Sequence, residues 1–170
     1  ATSGTLTLTS DPALQGVTVN GIRLTNTIPR TFFINFSSTT PGVTFTDAQW
    51  RAKLTPQQYT VLRREATERP GSSPLNSEQR AGTYSCAGCA LPMFSSKTKF
   101  DSGTGWPSFW KPIDNAVTTR KDRIFGMVET EVHCSRCGGH MGHVFDDGPR
   151  PTGLRYCING VSLTFAPQTS

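Results

Sequence analysis

Five cysteines occupy the 170 positions, and four of them form two C-x-x-C pairs, Cys86-Ala87-Gly88-Cys89 and Cys134-Ser135-Arg136-Cys137. Each pair is a tight turn that presents two sulfurs to one point, and four thiolates surround Zn²⁺ tetrahedrally in a closed structural site. The 44 residues from Ala90 to His133 separate the pairs, well beyond the roughly 15–20 of a compact zinc ribbon. A shared metal therefore clamps two distant parts of one domain rather than organising a small finger. Gly88 and Gly138 suit turns that need positive φ or close backbone approach to sulfur. The alternatives are two disulfides or two dithiol redox motifs. A redox C-x-x-C wants a strand-helix context missing at both places, and disulfides would leave Cys157 over. One structural Zn²⁺ per chain is expected, held by Cys86, Cys89, Cys134 and Cys137.

The rest of the chain is ordinary in size and charge. It is longer than the roughly 70–80 residues below which a core needs staples. No run approaches the roughly 18 apolar residues of a membrane span, and no secretory leader opens the chain, so no membrane partner is expected. A formal charge of +5 raises the question of a nucleic-acid partner. The basic residues are scattered, with Arg63-Arg64 followed closely by Glu65 and Glu68, whereas such a module wants them clustered among exposed aromatics. Four thiolates on Zn²⁺ carry a net −2, which lowers the charge to about +3. No nucleic acid is expected.

Residues 1–46 differ from the remainder of the chain: they are rich in Ser and Thr, lack Lys and Glu, and have Asp11 as their one acid. They read as an appended, disordered or loosely attached extension. Thr5–Thr9 and Val17–Val19 alternate as a short strand would, and the composition also suits the remnant of an organellar transit peptide. The folded domain is placed at 47–170. Thr55-Pro56-Gln57-Gln58 has the capping-box pattern of a helix start, and the helix is expected to run to about Ala66, with Tyr59, Leu62 and Ala66 near one face. Short β-like segments come next, at 83–85, 93–94, 124–128, 144–145, 156–158 and 163–165, separated by turn residues. One helical segment ahead of many short strands favours a mainly antiparallel β domain.

Arg155-Tyr156-Cys157-Ile158-Asn159 alternates with period two, so Arg155, Cys157 and Asn159 share one face of a strand. A guanidinium and an amide beside a thiol favour the nucleophilic thiolate, although a lone strand Cys is as often an inert buried hydrophobe. His140 and His143 follow the second C-x-x-C pair, where acid-base work or orientation of a polar substrate group suits them. A second metal site is disfavoured, since only His133 remains as a third His and it precedes Cys134. In Phe100-Asp101-Ser102-Gly103-Thr104-Gly105-Trp106-Pro107-Ser108-Phe109-Trp110, Trp106 can wall a pocket for a small apolar group such as an S-methyl. Trp110 is read as core.

Together these segments resemble the B-type methionine sulfoxide reductases, from about Leu54 to Phe165. The resemblance rests on both C-x-x-C pairs, the 100–109 segment, His140-Met141-Gly142-His143-Val144-Phe145-Asp146-Asp147-Gly148 and Arg155–Asn159. It implies a zinc-clamped domain of two antiparallel sheets that reduces methionine (R)-sulfoxide in oxidised proteins. Cys157 would be the nucleophile and Trp106 the wall of the methyl pocket, with His140, His143, Asn159 and Arg155 binding substrate through water and assisting protonation of the oxygen. The product on the enzyme is a Cys157 sulfenic acid. Many members have a resolving cysteine where this chain has Thr104, so the expected reductant is an external thiol, small or thioredoxin-like. Gly160 replaces the family's usual Ser. The expected protein is a monomer in a reducing compartment, the cytoplasm, or a mitochondrion or plastid if 1–46 is a transit remnant. The rival, a zinc fold serving only as a protein-interaction module, predicts no need for Cys157.

Overall fold

Two Thr-x-x-Gln sequences open the helices. The Thr hydroxyl accepts the N–H three residues on, and the Gln side chain returns to the Thr N–H, satisfying two otherwise free donors. Thr46 and Gln49 cap α1 (Asp47–Lys53), and Thr55 and Gln58 cap α2 (Pro56–Arg64). The sequence reading carries α2 on to Ala66, but Glu65 turns left-handed at φ 56° and ends it at Arg64. That reading lacks α1, although Thr46-Asp47-Ala48-Gln49 carries the same signal.

The computed structural model describes residues 42–124 and 127–169, without the side chains of 122–128, and the backbone of four short strands nearer the N-terminus. The chain divides into two compact units, Ala1–Thr40 and Pro41–Ser170. In the first, β1 (Gly4–Leu6) pairs with β4 (Phe32–Ile34), and β2 (Thr18–Val19) with β3 (Ile22–Arg23). Residues 42–46, within the span read as an extension, are described in the second unit, where Thr46 caps α1; the readings of the rest of 1–46 as disordered or as a transit remnant otherwise lie outside the described residues. Within the second unit, the Val43 N–H donates to the Arg136 carbonyl at 2.9 Å.

The second unit is mainly β, in two antiparallel sheets. The larger runs β7 (Lys99–Phe100), β8 (Ser108–Phe109), β12 (Arg155–Ile158), β11 (His140–Phe145), β10 (Met127–Cys134) and β9 (Val117–Ile124) in spatial order; the smaller runs β13 (Leu163–Pro167), β5 (Gly82–Cys86) and β6 (Pro92–Ser95). The single β-like segment expected at 124–128 covers the last residue of one eight-residue strand and the first two of another, with 125–126 outside the described residues. β9 reads Val-Thr-Thr-Arg-Lys-Asp-Arg-Ile, and so many charges on an edge strand hide it from a pattern based on burial. Among the described residues no helix is long and apolar enough to cross a membrane.

Directly opposed residues of an antiparallel pair point to the same face of the sheet, and successive residues to opposite faces. One row across the large sheet is Phe109, Tyr156 and Val144, and it packs on the small sheet. Phe109 lies 4.4 Å from Phe94 and 5.0 Å from Tyr84, centroid to centroid, and all three are fully buried. The adjacent row is Ser108, Cys157, His143, Glu131 and Arg120, each the cross-strand partner of the next. The pleat thus sorts the domain into an apolar face holding the sheets together and a face carrying reactive groups from five strands.

Candidate active site and cysteine cluster

The two C-x-x-C turns are built alike. The residue after the second cysteine has positive φ, 58° at Ala90 and 66° at Gly138, and its N–H donates to the first cysteine's carbonyl at 2.8 Å in each. Gly138 therefore serves as expected. Gly88 does not sit at positive φ, and a Cβ there would make only ordinary contacts, 3.5 Å from Trp50 and 3.6 Å from two cysteine sulfurs, so neither backbone strain nor crowding requires glycine there. The first turn joins β5 to β6 and the second joins β10 to β11, so the four sulfurs tie the small sheet to the large one.

All five cysteines are free thiols. The Sγ atoms of Cys86, Cys89, Cys134 and Cys137 all lie within 4.8 Å of one another, with Cys86 and Cys137 3.7 Å apart and Cys89 and Cys134 3.5 Å apart. Bonds of about 2.3 Å to a tetrahedral Zn²⁺ place sulfurs roughly 3.8 Å apart. The cluster fits a tetrahedral thiolate-binding metal ion. Arg63 and Arg136 donate to the carbonyls of Cys137 and Cys89 at 3.1 and 3.2 Å, bringing positive charge to a group that carries −2 when metal-loaded.

Cys157 is partly buried in the polar row. The Thr104 hydroxyl lies 4.0 Å from its Sγ, and Ser102 joins Thr104 to Ser108 at 2.8 and 2.7 Å. Burial raises the thiol's pKa, and it outweighs the lowering by the Thr104 hydroxyl and the Arg155 guanidinium. Arg155 acts toward the thiolate as expected, and burial outweighs it. Arg155 is held bidentate by Asp147 at 2.8 and 2.9 Å, and the Asp147 charge itself pushes the thiol up. A raised pKa leaves less thiolate at neutral pH, so alkylation of Cys157 by iodoacetamide should be slow there and rise toward alkaline pH. Asp147→Asn removes the negative charge and releases Arg155, so it should speed alkylation at neutral pH. A slower reaction would contradict the assigned balance.

Gly142 lets this thiol stand beside the histidines: a Cβ there would fall 2.1 Å from the Cys157 carbonyl, so any other residue forces β11 and β12 apart. His143 is the partner of Cys157, and its Nε2 lies 3.3 Å from Glu129. His140 is 1% exposed, and neither ring nitrogen has a hydrogen bond. Its pKa is lowered to about 4, first by desolvation and then by His143, so it is neutral at pH 7.

Asn159 departs from the strand alternation. It is buried, its Oδ1 accepts the Glu68 N–H at 2.9 Å and its Nδ2 donates to the Met141 carbonyl at 3.1 Å. Its side chain is thus committed to backbone, not turned to the face of Cys157. Glu68, absent from the sequence-based candidates, is the hub of this region. Its carboxylate accepts the N–H groups of Gly160 and Val161 at 2.6 and 2.8 Å, and its carbonyl accepts from Trp106 Nε1 at 3.1 Å. A Cβ at Gly160 would meet Ser73 Oγ at 2.1 Å, so glycine there accommodates Ser73. Trp110, read as core, is partly exposed; its neighbour Phe109 is core, and the buried tryptophan is Trp50 from α1. Glu68→Ala leaves two N–H groups unpaired at about 1–3 kcal/mol each. It should lower the unfolding midpoint and raise KM for substrate together, by loosening Trp106; an unchanged KM would remove Glu68 from the site.

A solitary thiol among acid-base side chains, on a β scaffold gathered by four other cysteines, defines a thiol-dependent oxidoreductase. Residues 54–167 match the SelR domain. The peptide methionine sulfoxide reductase MsrB of Agrobacterium fabrum is 55% identical over 130 residues, 76% of this chain and 96% of that protein. The MsrB of Pseudomonas putida is 59% identical over 71% of this chain and 91% of its own, and that of Thiobacillus denitrificans is 56% identical over 72% and 94%. The chain belongs to this family, the B-type methionine sulfoxide reductases.

Proposed function

We propose that this protein reduces methionine (R)-sulfoxide in peptides and proteins to methionine, with Cys157 as the nucleophile. The supporting observation is the polar row that sets Cys157 directly beside His143, backed by Glu131. Sγ attacks the sulfoxide sulfur, the S–O bond breaks, and the oxygen ends on Cys157 as a sulfenic acid. The thiol loses two electrons and the sulfoxide gains them. The reaction needs one proton on the leaving oxygen, and the protonated resting thiol carries one. His143 and Arg155 flank its transfer. His140, being neutral, orients substrate or water by hydrogen bonding rather than acting as a cationic acid, and Asn159 and Glu68 hold the loop that positions Trp106 as the wall of the methyl pocket.

Cys86, Cys89, Cys134 and Cys137 would hold one Zn²⁺, which supplies no reaction chemistry and fixes the two sheets together. Two external thiols return the sulfenic acid to thiol with loss of water, since the other four sulfurs are committed to the metal. The reductant is a small thiol or thioredoxin, in a reducing compartment, and the protein acts as a monomer. The catalytic unit is 47–170, with 1–46 as an appended segment.

The deciding experiment supplies the R and S epimers of a methionine sulfoxide peptide separately, with excess dithiothreitol. Turnover of the R epimer alone is expected; turnover of the S epimer only, or of neither, defeats the proposal. The 4.0 Å approach of Thr104 to Cys157 gives a second check. Thr104→Cys should form, during turnover, a disulfide between the introduced thiol and Cys157, detectable by mass spectrometry. The unsubstituted protein should form none within the chain.

A further inference from the structure

Three side chains beside the reactive row meet without a role in the chemistry above that accounts for their meeting. Glu131, His133 and His140 each offer one ligand atom, and these atoms lie within 4.8 Å of one another. Their convergence depends on an irregularity in the sheet. Register shifts between Val132 and His133, and this makes His133 the cross-strand partner of His140. Glu131 is two residues before His133 and so shares its face of β10.

The spacing suits a small cation. His140 Nδ1 lies 3.7 Å from Glu131 Oε1, and His133 Nε2 meets the other carboxylate oxygen, Oε2, in a 3.1 Å hydrogen bond that the ion would replace. Ligand atoms bound at about 2.0–2.2 Å to a tetrahedral ion sit roughly 3.3–3.6 Å apart, close to the 3.7 Å between His140 Nδ1 and Glu131 Oε1. His140 supplies an independent sign. A fully buried imidazole with neither nitrogen bonded is costly, and an ion between Nδ1 and Oε1 would give one nitrogen its partner. Because His140 is already neutral at pH 7, no proton must leave before it can ligate. Two imidazoles and a carboxylate are the donor set of a Zn²⁺-class ion rather than of Mg²⁺ or Ca²⁺.

Against the expectation from sequence spacing, we infer that Glu131, His133 and His140 form a second divalent transition-metal site, distinct from the four-cysteine cluster. One group opposes it. The Arg120 guanidinium donates to Glu131 Oε2 at 2.9 and 2.7 Å, leaving Oε1 as the ligand oxygen, and its charge repels a cation. Glu65 draws part of that charge away at 2.8 Å. The site is therefore weaker than the cysteine cluster and fills reversibly as free metal rises. Its consequence for turnover rests on the proposed function: an ion on His140 withdraws it from the substrate, so excess metal inhibits.

Protein carrying its cluster zinc would be titrated with Co²⁺ under equilibrium dialysis, with visible spectra recorded. A second equivalent is expected, with d–d bands but without the strong near-ultraviolet sulfur charge-transfer band of a Co²⁺ thiolate centre. His133→Ala should lose that equivalent, keep the first, and keep its metal-free turnover. His133→Gln provides the same comparison if the alanine variant folds poorly. Cys157→Ser should retain the second equivalent. Stoichiometry that stays at one, a second equivalent that survives both His133 variants, or one that is lost in Cys157→Ser overturns the site. Added Zn²⁺ should abolish most R-epimer turnover of the unsubstituted protein, reversibly with a mild chelator, and should spare His133→Ala. Binding without inhibition overturns the link to turnover alone. Absence of R-epimer turnover in metal-free buffer counts against the proposed function, and the dialysis result still decides the site.

Discussion

Cys157→Ser is expected to give a folded, metal-loaded protein with turnover reduced by a factor on the order of 10⁴ or more, the scale seen when an enzyme's nucleophile is removed. Serine matches cysteine closely in shape, so the Thr104, Ser102 and Ser108 hydroxyl chain and the pairing with His143 persist. What is lost is chemical. A hydroxyl cannot accept the sulfoxide oxygen to become a sulfenic acid, and none of the four remaining thiols lies in this row. Circular dichroism and metal content should match the parent, and dimedone should label the parent during turnover and not the variant. Appreciable turnover by Cys157→Ser would mean that the reactive sulfur lies elsewhere.

The second large effect concerns the cluster. Cys134→Ser, at a fully buried position, should collapse the domain rather than merely slow it. Structural zinc contributes an apparent ~10–16 kcal/mol to folding in small zinc domains, against a whole-domain stability of about 5–15 kcal/mol. The four sulfurs lie at the turns joining β5 to β6 and β10 to β11, so losing the metal frees the two sheets from one another at that end. The expected readout is a fall from about one zinc per chain to none, with loss of the cooperative thermal transition. A variant that lacks metal yet melts like the parent would show that the aromatic contact between the sheets, Phe94 on Phe109 at 4.4 Å, suffices alone.

The legible parts of this protein are those written in local spacing. The paired cysteines, the Thr55 cap and the apolar segments 83–85, 93–94, 156–158 and 163–165 each announce themselves within a few residues, because turns, caps and pleats have short periods. The α1 cap at Thr46 is equally local, yet it escapes notice because no apolar stripe accompanies it in a seven-residue helix with one buried residue, Trp50. β9 is hidden for the opposite reason: its residues from Thr118 to Lys121 are exposed and its sequence is highly charged, so pairing with β10 alone makes it a strand.

The chemistry of the row is a different matter. Sequence identifies Cys157, His140, His143 and Arg155 as reactive types, but the sign of the Cys157 shift depends on how deeply the strand is buried and on Asp147 taking hold of Arg155. Likewise Asn159 looks like a neighbour of Cys157 by strand alternation. Its commitment to Glu68 and Met141 arises where the chain leaves β12 and meets a segment some ninety residues earlier, a contact that no local pattern records. Glu68 itself lies in an ordinary loop of the sequence.

By itself, then, the sequence determined the sulfur arithmetic: four thiols at metal-binding spacing, one left over, and a threonine rather than a cysteine at position 104. These are matters of residue type and short-range separation. Tertiary structure alone decided which groups surround that remaining thiol, because register between β10, β11 and β12 sets Glu131, His143 and Cys157 in one row and brings His133 opposite His140. Charge and desolvation act through space over a few ångströms, and only the folded chain fixes those distances.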